Sequence, residues 1–375
     1  MAGIYLHIPF CKKLCFYCDF YHVISKEENG EFIGALIKEA ELRSSYPEGE
    51  SISTIYFGGG TPSVFSTEEL GRILERMRQL FAIEDNCEIT IELNPDDVTP
   101  AYLQGIKLHG INRISLGIQS WNDSVLKKLN RRHNSAGAEN SLRDVFNAGF
   151  ENVTMDLIYG IPGMSLQDWS AELDFTFKFP IKHLSAYHLT IEPGTVFGKM
   201  HERGDLTEID EDDSTAMFNL LIEKSEEAGF IHYEISNFGK PGFFSLHNSN
   251  YWKQVSYLGL GPSAHSFNGY SRQWNVRDLK AYIKAINGGK PFFESEELDK
   301  RTRFNEYIMT SLRTMWGIDL EYVETAFDKE GYDYVVNLSG KFRNYGLMNL
   351  NKKSLVLTNQ GKMISDNIIS EFMMP

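Results

Sequence analysis

Tyr5-Leu6-His7-Ile8-Pro9-Phe10-Cys11-Lys12-Lys13-Leu14-Cys15-Phe16-Tyr17-Cys18 runs from a short apolar, strand-like segment straight into three cysteines. Three thiols cannot all close on one another as disulfides. Three thiolates on one loop can instead hold three corners of a four-iron cubane and leave the fourth iron open to another ligand. Zinc is the competing reading, but it asks for a fourth Cys or His, usually from a second paired knuckle. The one other cysteine, Cys87, stands alone in an apolar-alternating run that reads as a strand. Plain redox thiols are the remaining alternative.

Outward from this loop, strand-like runs alternate with helical ones to about residue 190. The strands read as Ile4–His7, Ile52–Phe57, Cys87–Leu93, Arg113–Gln119, Val153–Tyr159 and Leu184–Leu189, each β-branched or aromatic and closed by Gly, Pro or polar residues. Between them, Ser66-Thr67-Glu68-Glu69 is a capping box ahead of a Leu70, Ile73, Leu74, Met77 stripe, and Thr99-Pro100 opens a helix that Gly110 closes. Asn122, Ser135 and Ser165 cap three more. This alternation predicts right-handed βαβ units on a parallel sheet. Six units are two short of a closed eight-fold barrel, so the expected fold is α/β, a partial (β/α)6 TIM-like barrel with its site at the C-terminal strand ends. Cys11, Gly58-Gly59-Gly60-Thr61-Pro62, Glu92, Gln119 and Asp156 all fall at or just past such ends.

After Thr190 the pattern loosens. A long helix is expected from about Asp212 to Ala228, then a strand at Ile231–Ile235, then an aromatic and glycine-rich stretch from Asn237 to Asn275. From about Lys300 the chain reads as a small, mainly helical module. Leu347 to Thr358, folded at Asn351-Lys352, and the following run to Phe372 resemble the wing and last helix of a winged-helix domain. The expected division is a barrel core over 1–200, an extension over 201–295 and this module over 296–375. DNA binding is disfavoured, because residues 300–375 hold ten Lys or Arg against nine Asp or Glu, without a basic stripe.

The 375 residues are 42% hydrophobic and 23% charged, which argues for a folded chain. A net charge of −14 argues against general affinity for nucleic acid or an anionic membrane. The acidic run Asp205 to Asp213 reads as a solvated loop and helix start. No run is long and apolar enough for a membrane span, and Met-Ala-Gly-Ile-Tyr lacks a signal peptide's basic and apolar regions. A cytoplasmic, reducing location is therefore expected, which four cysteines also suit.

CxxxCxxC after a short strand, with aromatic Tyr17 beside the last cysteine, resembles the signature of the radical S-adenosylmethionine (SAM) superfamily. In that setting Gly58-Gly59-Gly60 lets backbone approach a ligand's amino group without side-chain interference. Glu92 and Gln119 suit an ammonium and ribose hydroxyls, Arg131 offers a planar fork to a carboxylate, and Asp156 can take a ribose hydroxyl. Taken singly, each of these reads equally well as a cap or a surface salt bridge.

Tyr5 to Cys11, Phe57-Gly58-Gly59-Gly60-Thr61-Pro62-Ser63, Glu92-Leu93-Asn94-Pro95, Ser115 to Ser120, Asp156 to Gly163 and His247-Asn248-Ser249-Asn250-Tyr251-Trp252 resemble the oxygen-independent coproporphyrinogen III oxidase family, and within it the heme chaperone branch. The resemblance spans essentially the whole chain. It implies a [4Fe-4S] cluster on Cys11, Cys15 and Cys18, and SAM contacts from Tyr5, Tyr17, Gly59, Gly60, Thr61, Glu92, Gln119, Arg131 and Asp156.

Two departures separate the chain from the oxidases. Those resemble CxxxCxxCxC, where this chain has Phe20, and they carry an N-terminal extension where only four residues precede Tyr5. The resemblance marks His247-Asn248-Ser249-Asn250-Tyr251-Trp252 as a heme-binding motif, with His247 at the iron and Tyr251 and Trp252 over a porphyrin face; a core histidine satisfied by hydrogen bonds is the competing reading. The implied function is heme delivery to an acceptor hemoprotein, with a membrane-bound respiratory component as the expected recipient and dimerisation left open. The alternatives are the oxidase reaction itself and an iron–sulfur regulator acting through the terminal module.

Overall fold

The computed structural model describes residues 1–24 and 27–374. Along the first six strands apolar and polar residues alternate, and the pleat sends them to opposite faces. These strands are β1 (Ala2–Ile8), β2 (Ile52–Gly59), β3 (Ile83–Leu93), β4 (Arg113–Gln119), β5 (Asn152–Tyr159) and β6 (His183–His188). One face carries Ile4, Leu6, Ile55, Phe57, Ile89, Ile91, Ile114, Leu116, Val153 and Met155, which are buried in one core with Leu36, Leu74, Leu103, Leu142 and Leu173 of the covering helices. Each such side chain stabilises the fold by about 1.5–3 kcal/mol. The other face is polar and lines an internal cavity: Thr90 and Glu92 on β3, Arg113 and Ser115 on β4, Thr154 and Asp156 on β5, His183 and Ser185 on β6.

Neighbouring strands from β1 to β6 pair in parallel. The register sets Glu92 level with Ser115 and Gly117 level with Asp156, so the polar strand ends lie side by side. The loosely patterned region extends this sheet on both sides. β7 (Ile231–Glu234) and β8 (Asn237–Gly239) add antiparallel strands beyond β6, while β9 (Tyr257–Leu260) pairs in parallel with β1 and leads to β10 (His265–Phe267), β11 (Ser271–Asn275) and β12 (Phe293–Glu297). The resulting twelve-stranded sheet, in the order β12-β11-β10-β9-β1-β2-β3-β4-β5-β6-β8-β7, ends in two edges and is an open barrel.

Glu39 ties this extension to the core. Its fully buried carboxylate accepts from Gly261 N at 2.8 Å, Asn275 Nδ2 at 2.7 Å, Tyr282 Oη at 2.5 Å and Arg43 Nη1 at 3.2 Å. The two edges differ. Beside β7, Ile235 N donates to Arg313 O at 3.1 Å and Met315 N to Tyr233 O at 2.9 Å, so the following module covers it. All five residues of β12 are exposed, among them Glu294, Glu296 and Glu297.

Past residue 300 a second core gathers Phe304, Ile308, Leu312, Val323, Phe327, Val335, Phe342, Leu355 and Phe372. It contains a three-stranded antiparallel sheet of β13 (Ile318–Asp319), β15 (Ser354–Leu357) and β14 (Met348–Asn351) in that order. Three expectations shift in detail. The β14–β15 hairpin turns at 352–353, since Asn351 still pairs with Ser354. The last helix is two, Asn359–Met363 and Ser365–Phe372. Asn134 rather than Ser135 caps the helix Ser135–Asn147, because it is the Asn134 side chain that accepts from Gly137 N. The other predicted caps, at Ser66, Thr99, Asn122 and Ser165, all accept a backbone N–H.

Candidate functional site

The cysteine loop is held at its neck and flanks by backbone bonds. Cys11 N donates to Val23 O at 2.9 Å and Val23 N to Pro9 O at 2.7 Å, closing the loop, while Phe16 N donates to Leu129 O at 3.2 Å. Asn130 takes φ +61°, a left-handed conformation that Asn tolerates better than most residues, and its Nδ2 donates to Leu14 O at 2.6 Å. The next residue, Arg131, thereby reaches the thiols.

The glycine loop packs under the same segment. Gly60 N donates to Ile8 O at 2.7 Å and Thr61 N to Phe10 O at 2.9 Å. A Cβ on Gly60 would stand 2.8 Å from Ile8 O, and one on Gly59, at φ +106°, 2.6 Å from the His7 ring. Glycine is required here so that two backbones can touch.

Cys11, Cys15 and Cys18 rim one cavity of about 510 Å3, whose walls include Tyr17, Gly59, Gly60, Thr61, Glu92, Gln119, Arg131 and Asp156. All three thiols are free. Thr61 Oγ1 donates to Cys11 Sγ at 3.3 Å and Arg131 Nη1 to Cys15 Sγ at 3.5 Å. Burial raises the Cys11 thiol pKa and pushes Cys18 up to about 12, so both are protonated in the free chain and lose those protons on binding metal. Among the described residues no group of three or more His, Cys, Asp or Glu converges on a single ion. A cubane asks for something else, one thiolate on each of three irons.

Opposite charges and unused valences face each other across this space. Arg131 Nη2 donates to Asn94 Oδ1 at 2.5 Å and to Gly117 O at 2.8 Å, while its Nε is buried without a hydrogen-bond partner. Burial pushes the Glu92 carboxyl up to about 8 despite the Tyr56 hydroxyl that donates to it at 2.8 Å. Asp156 is pushed up to about 6 by burial and accepts from Ser115 Oγ at 2.9 Å. The β4–β5 register shifts between Gly117 and Gln119, and Gln119 takes φ +70°; this bulge re-aims the strand end at the cavity.

Two sequence-predicted residues lie elsewhere. Tyr5 is not among the residues lining this cavity; it borders a second one of about 500 Å3, and its hydroxyl meets His7 Nδ1 at 3.2 Å. His247 is 2% exposed, on the helix Leu246–Trp252. Its Nδ1 meets Thr54 Oγ1 at 2.8 Å, its Nε2 meets Tyr251 Oη at 2.8 Å, and its backbone N donates to Glu88 Oε1 at 3.1 Å. In this structure both His247 nitrogens are in use, which is the geometry of a core histidine satisfied by hydrogen bonds. Tyr251 and Trp252 of the same helix do face the second cavity.

Sequence reasoning passed over Asn94 and Asp97, although both stand in the quoted or adjoining run after β3. Asn94 joins Arg131 to Thr61. Asp97 accepts from Lys12 on the cysteine loop, from Ser63 Oγ at 2.9 Å and from Arg132 Nη2 at 2.9 Å, fastening three loops together. Thr90, Ser115, His183 and Ser185 were missed as well; their signal was polar character at every second strand position.

An open parallel barrel with three loop thiols at the C-terminal strand mouth defines a radical SAM protein, and the model of the Radical SAM superfamily matches residues 5–176. The chain is 31% identical to heme chaperone HemW of Bacillus subtilis, over 100% of this chain and 99% of that one. It is 33% identical to heme chaperone HemW of Lactococcus lactis, over 99% and 97%. Its fold matches Escherichia coli coproporphyrinogen III oxidase, HemN, a radical SAM enzyme, with a TM-score of 0.85 at 22% identity, over 100% of this chain and 90% of that one. The chain belongs to the heme chaperone HemW family of the radical SAM superfamily.

The superfamily implies a [4Fe-4S] cluster and SAM, and the cavity fits both. It has three thiols at its mouth, two carboxyls held partly protonated by burial, and buried Arg131 Nε and Thr90 Oγ1 without partners. Among the described residues no helix is long and apolar enough to cross a membrane.

Proposed function

We propose that this chain is a heme chaperone, carrying heme as cargo to an acceptor hemoprotein, membrane-bound or soluble, from the reducing cytoplasm. Cys11, Cys15 and Cys18 hold the cluster; Tyr17, Gly59, Gly60, Thr61, Glu92, Gln119, Arg131 and Asp156 hold SAM. When bound, the cluster supplies an electron and an open iron for the methionine amino and carboxylate groups, and SAM supplies a sulfonium that reduction can cleave. Arg131 turns its unpartnered Nε to the carboxylate while its Nη2 stays on Asn94 and Gly117. Glu92 accepts from the ammonium, which draws its pKa back down and releases a proton below about pH 8. Asp156 and Gln119 take ribose hydroxyls. Tyr5 acts one step behind, through His7, on the packing of Gly59.

The observation that carries the carrier reading is the placement of the helix Leu246–Trp252. Asn248 on this helix borders the thiol-rimmed cavity, while Tyr251 and Trp252 wall a separate one, so cofactor and cargo each have a place. Phe20, 65% exposed at the position of the oxidases' extra cysteine, borders both. The division into 1–200, 201–295 and 296–375 accords with these roles: cofactor site, motif helix and a module that shares the wall of the second cavity.

An anaerobic assay with reconstituted cluster, SAM and coproporphyrinogen III, run beside heme titration on one preparation, tests this. Stoichiometric heme uptake and transfer without protoporphyrinogen formation is expected. Robust turnover to protoporphyrinogen IX with 5′-deoxyadenosine would make the chain an oxidase instead.

A further inference from the structure

The heme reading leaves open where the macrocycle sits, and the second cavity supplies the chemistry. Its volume is about 500 Å3, and it shares the walls Trp252, Gln254, Phe267 and Glu306 with a neighbour of about 660 Å3. Each by itself falls within the range for sites that enclose a molecule of cofactor size. Tyr251, Trp252, Tyr257 and Phe267 give it flat apolar walls. The Tyr251 ring stands edge-on to Tyr257 at 4.6 Å, held there by His247.

Two histidines line this cavity, His7 and His265. His7 is engaged through both nitrogens, with Nε2 against Tyr21 O at 2.9 Å and Nδ1 against Tyr5 Oη at 3.2 Å. His265, at the start of β10, is exposed, and neither ring nitrogen has a hydrogen-bond partner among the described residues. Partial desolvation of the ring at the cavity wall and the neighbouring Arg272 guanidinium lower its pKa, which favours the neutral, ligating form. Two guanidiniums complete the wall. Arg277 donates to Asp19 O at 2.8 Å and has no ion pair among the described residues. Arg272 is paired with Glu306 at 3.0 Å but keeps a buried Nε unpartnered. A porphyrin presents what this set recognises: a flat apolar face, a metal that takes imidazole, and two carboxylates.

We propose, resting on the heme reading above, that heme is seated in this cavity between β9–β11 and the helix Lys300–Leu312, with His265 as its iron ligand, Arg272 and Arg277 on its propionates, and His247 as a positioning residue that fixes Tyr251. Hemin titration of the full-length protein, followed by Soret absorbance, tests it on wild type, His265→Ala, His247→Ala and Arg277→Glu. His265→Ala is expected to lose the imidazole-ligated spectrum and weaken binding by about tenfold or more, equivalent to about 1.4 kcal/mol, with added imidazole restoring the spectrum. Arg277→Glu is expected to weaken binding without changing the spectrum, and His247→Ala to keep the imidazole-ligated spectrum. If wild type takes up no heme, the carrier reading itself fails. If wild type binds and His265→Ala is spectrally identical to it, or if His247→Ala alone loses the ligand, the seat proposed here is wrong and the carrier reading survives.

Discussion

His247 Nε2 and Tyr251 Oη, one helical turn apart, meet at 2.8 Å, while the other face of the same imidazole meets Thr54 on β2. One side chain thus fastens the motif helix to the barrel and orients an aromatic wall. Burial holds its pKa down at about 3, so it stays neutral at physiological pH. His247→Ala strands the buried Thr54 hydroxyl, frees the half-buried Tyr251 hydroxyl and opens a void, and it is expected to destabilise the protein by about 2–4 kcal/mol. Urea unfolding at pH 7 measures this; a loss under about 0.5 kcal/mol, the ordinary scatter of surface substitutions, would contradict the anchoring role.

Arg131→Lys keeps the positive charge but not the fork. A charge-assisted hydrogen bond is worth about 1.5–3 kcal/mol, so SAM affinity of the cluster-loaded protein is expected to fall by about tenfold to a hundredfold. Equilibrium dialysis with labelled SAM reads it, and equal affinities would remove Arg131 from the carboxylate.

Glu92 gives a stability profile with a definite sign. Its folded-state pKa is raised from 4.5 to about 8, so the favourable contribution of its neutral form is complete below about pH 4.5 and is lost as pH rises through about 8. One pKa unit is about 1.4 kcal/mol; discounting half the shift for relaxation leaves a penalty on the order of 2 kcal/mol at pH 8.5. Glu92→Gln, which cannot ionise, should show a higher Tm than wild type at pH 8.5 and little difference at pH 5. Parallel pH profiles for the two ligand-free proteins would refute this.

Gly60→Ala puts a methyl group against Ile8 O at 2.8 Å and Phe10 O at 2.9 Å, backbone atoms that cannot rotate away. The cysteine loop starts at that contact. Overpacking of this kind costs about 1–3 kcal/mol, and the variant is expected to take up less iron on anaerobic reconstitution. Unchanged iron content per chain would show that the loop does not depend on this packing.

How much of this was legible in the sequence follows from the range of the interactions involved. The six core strands and most helix caps depend on local alternation and on Ser, Thr and Asn side chains two or three residues from the backbone N–H they accept, so they could be read directly. The convergence of Cys11, Glu92, Gln119 and Asp156 followed from counting strand ends in a parallel sheet. The surroundings of Tyr5 and His247 could not be read, because they are set by long-range packing: the helix Leu246–Trp252 docks on Thr54, nearly two hundred positions earlier, and fills both imidazole nitrogens. The strands β7 to β12 carry only three to five residues each, too few for a period-two signal. Asp97 looked like a turn residue because the partners that define it, Lys12, Ser63 and Arg132, lie on three other loops.

An unfinished sheet invites its own kind to continue it, since a bare strand offers a ready ladder of amides and carbonyls to any neighbour. Here the terminal module shields one end, and on β12 the carboxylates of Glu294, Glu296 and Glu297 would meet their own copies if two molecules tried to zip together. Self-association through that margin is thereby discouraged. Removing the three charges by alanine substitution should produce larger species in sedimentation velocity at micromolar concentration; an unchanged distribution would mean that something other than like-charge repulsion keeps the margin solitary.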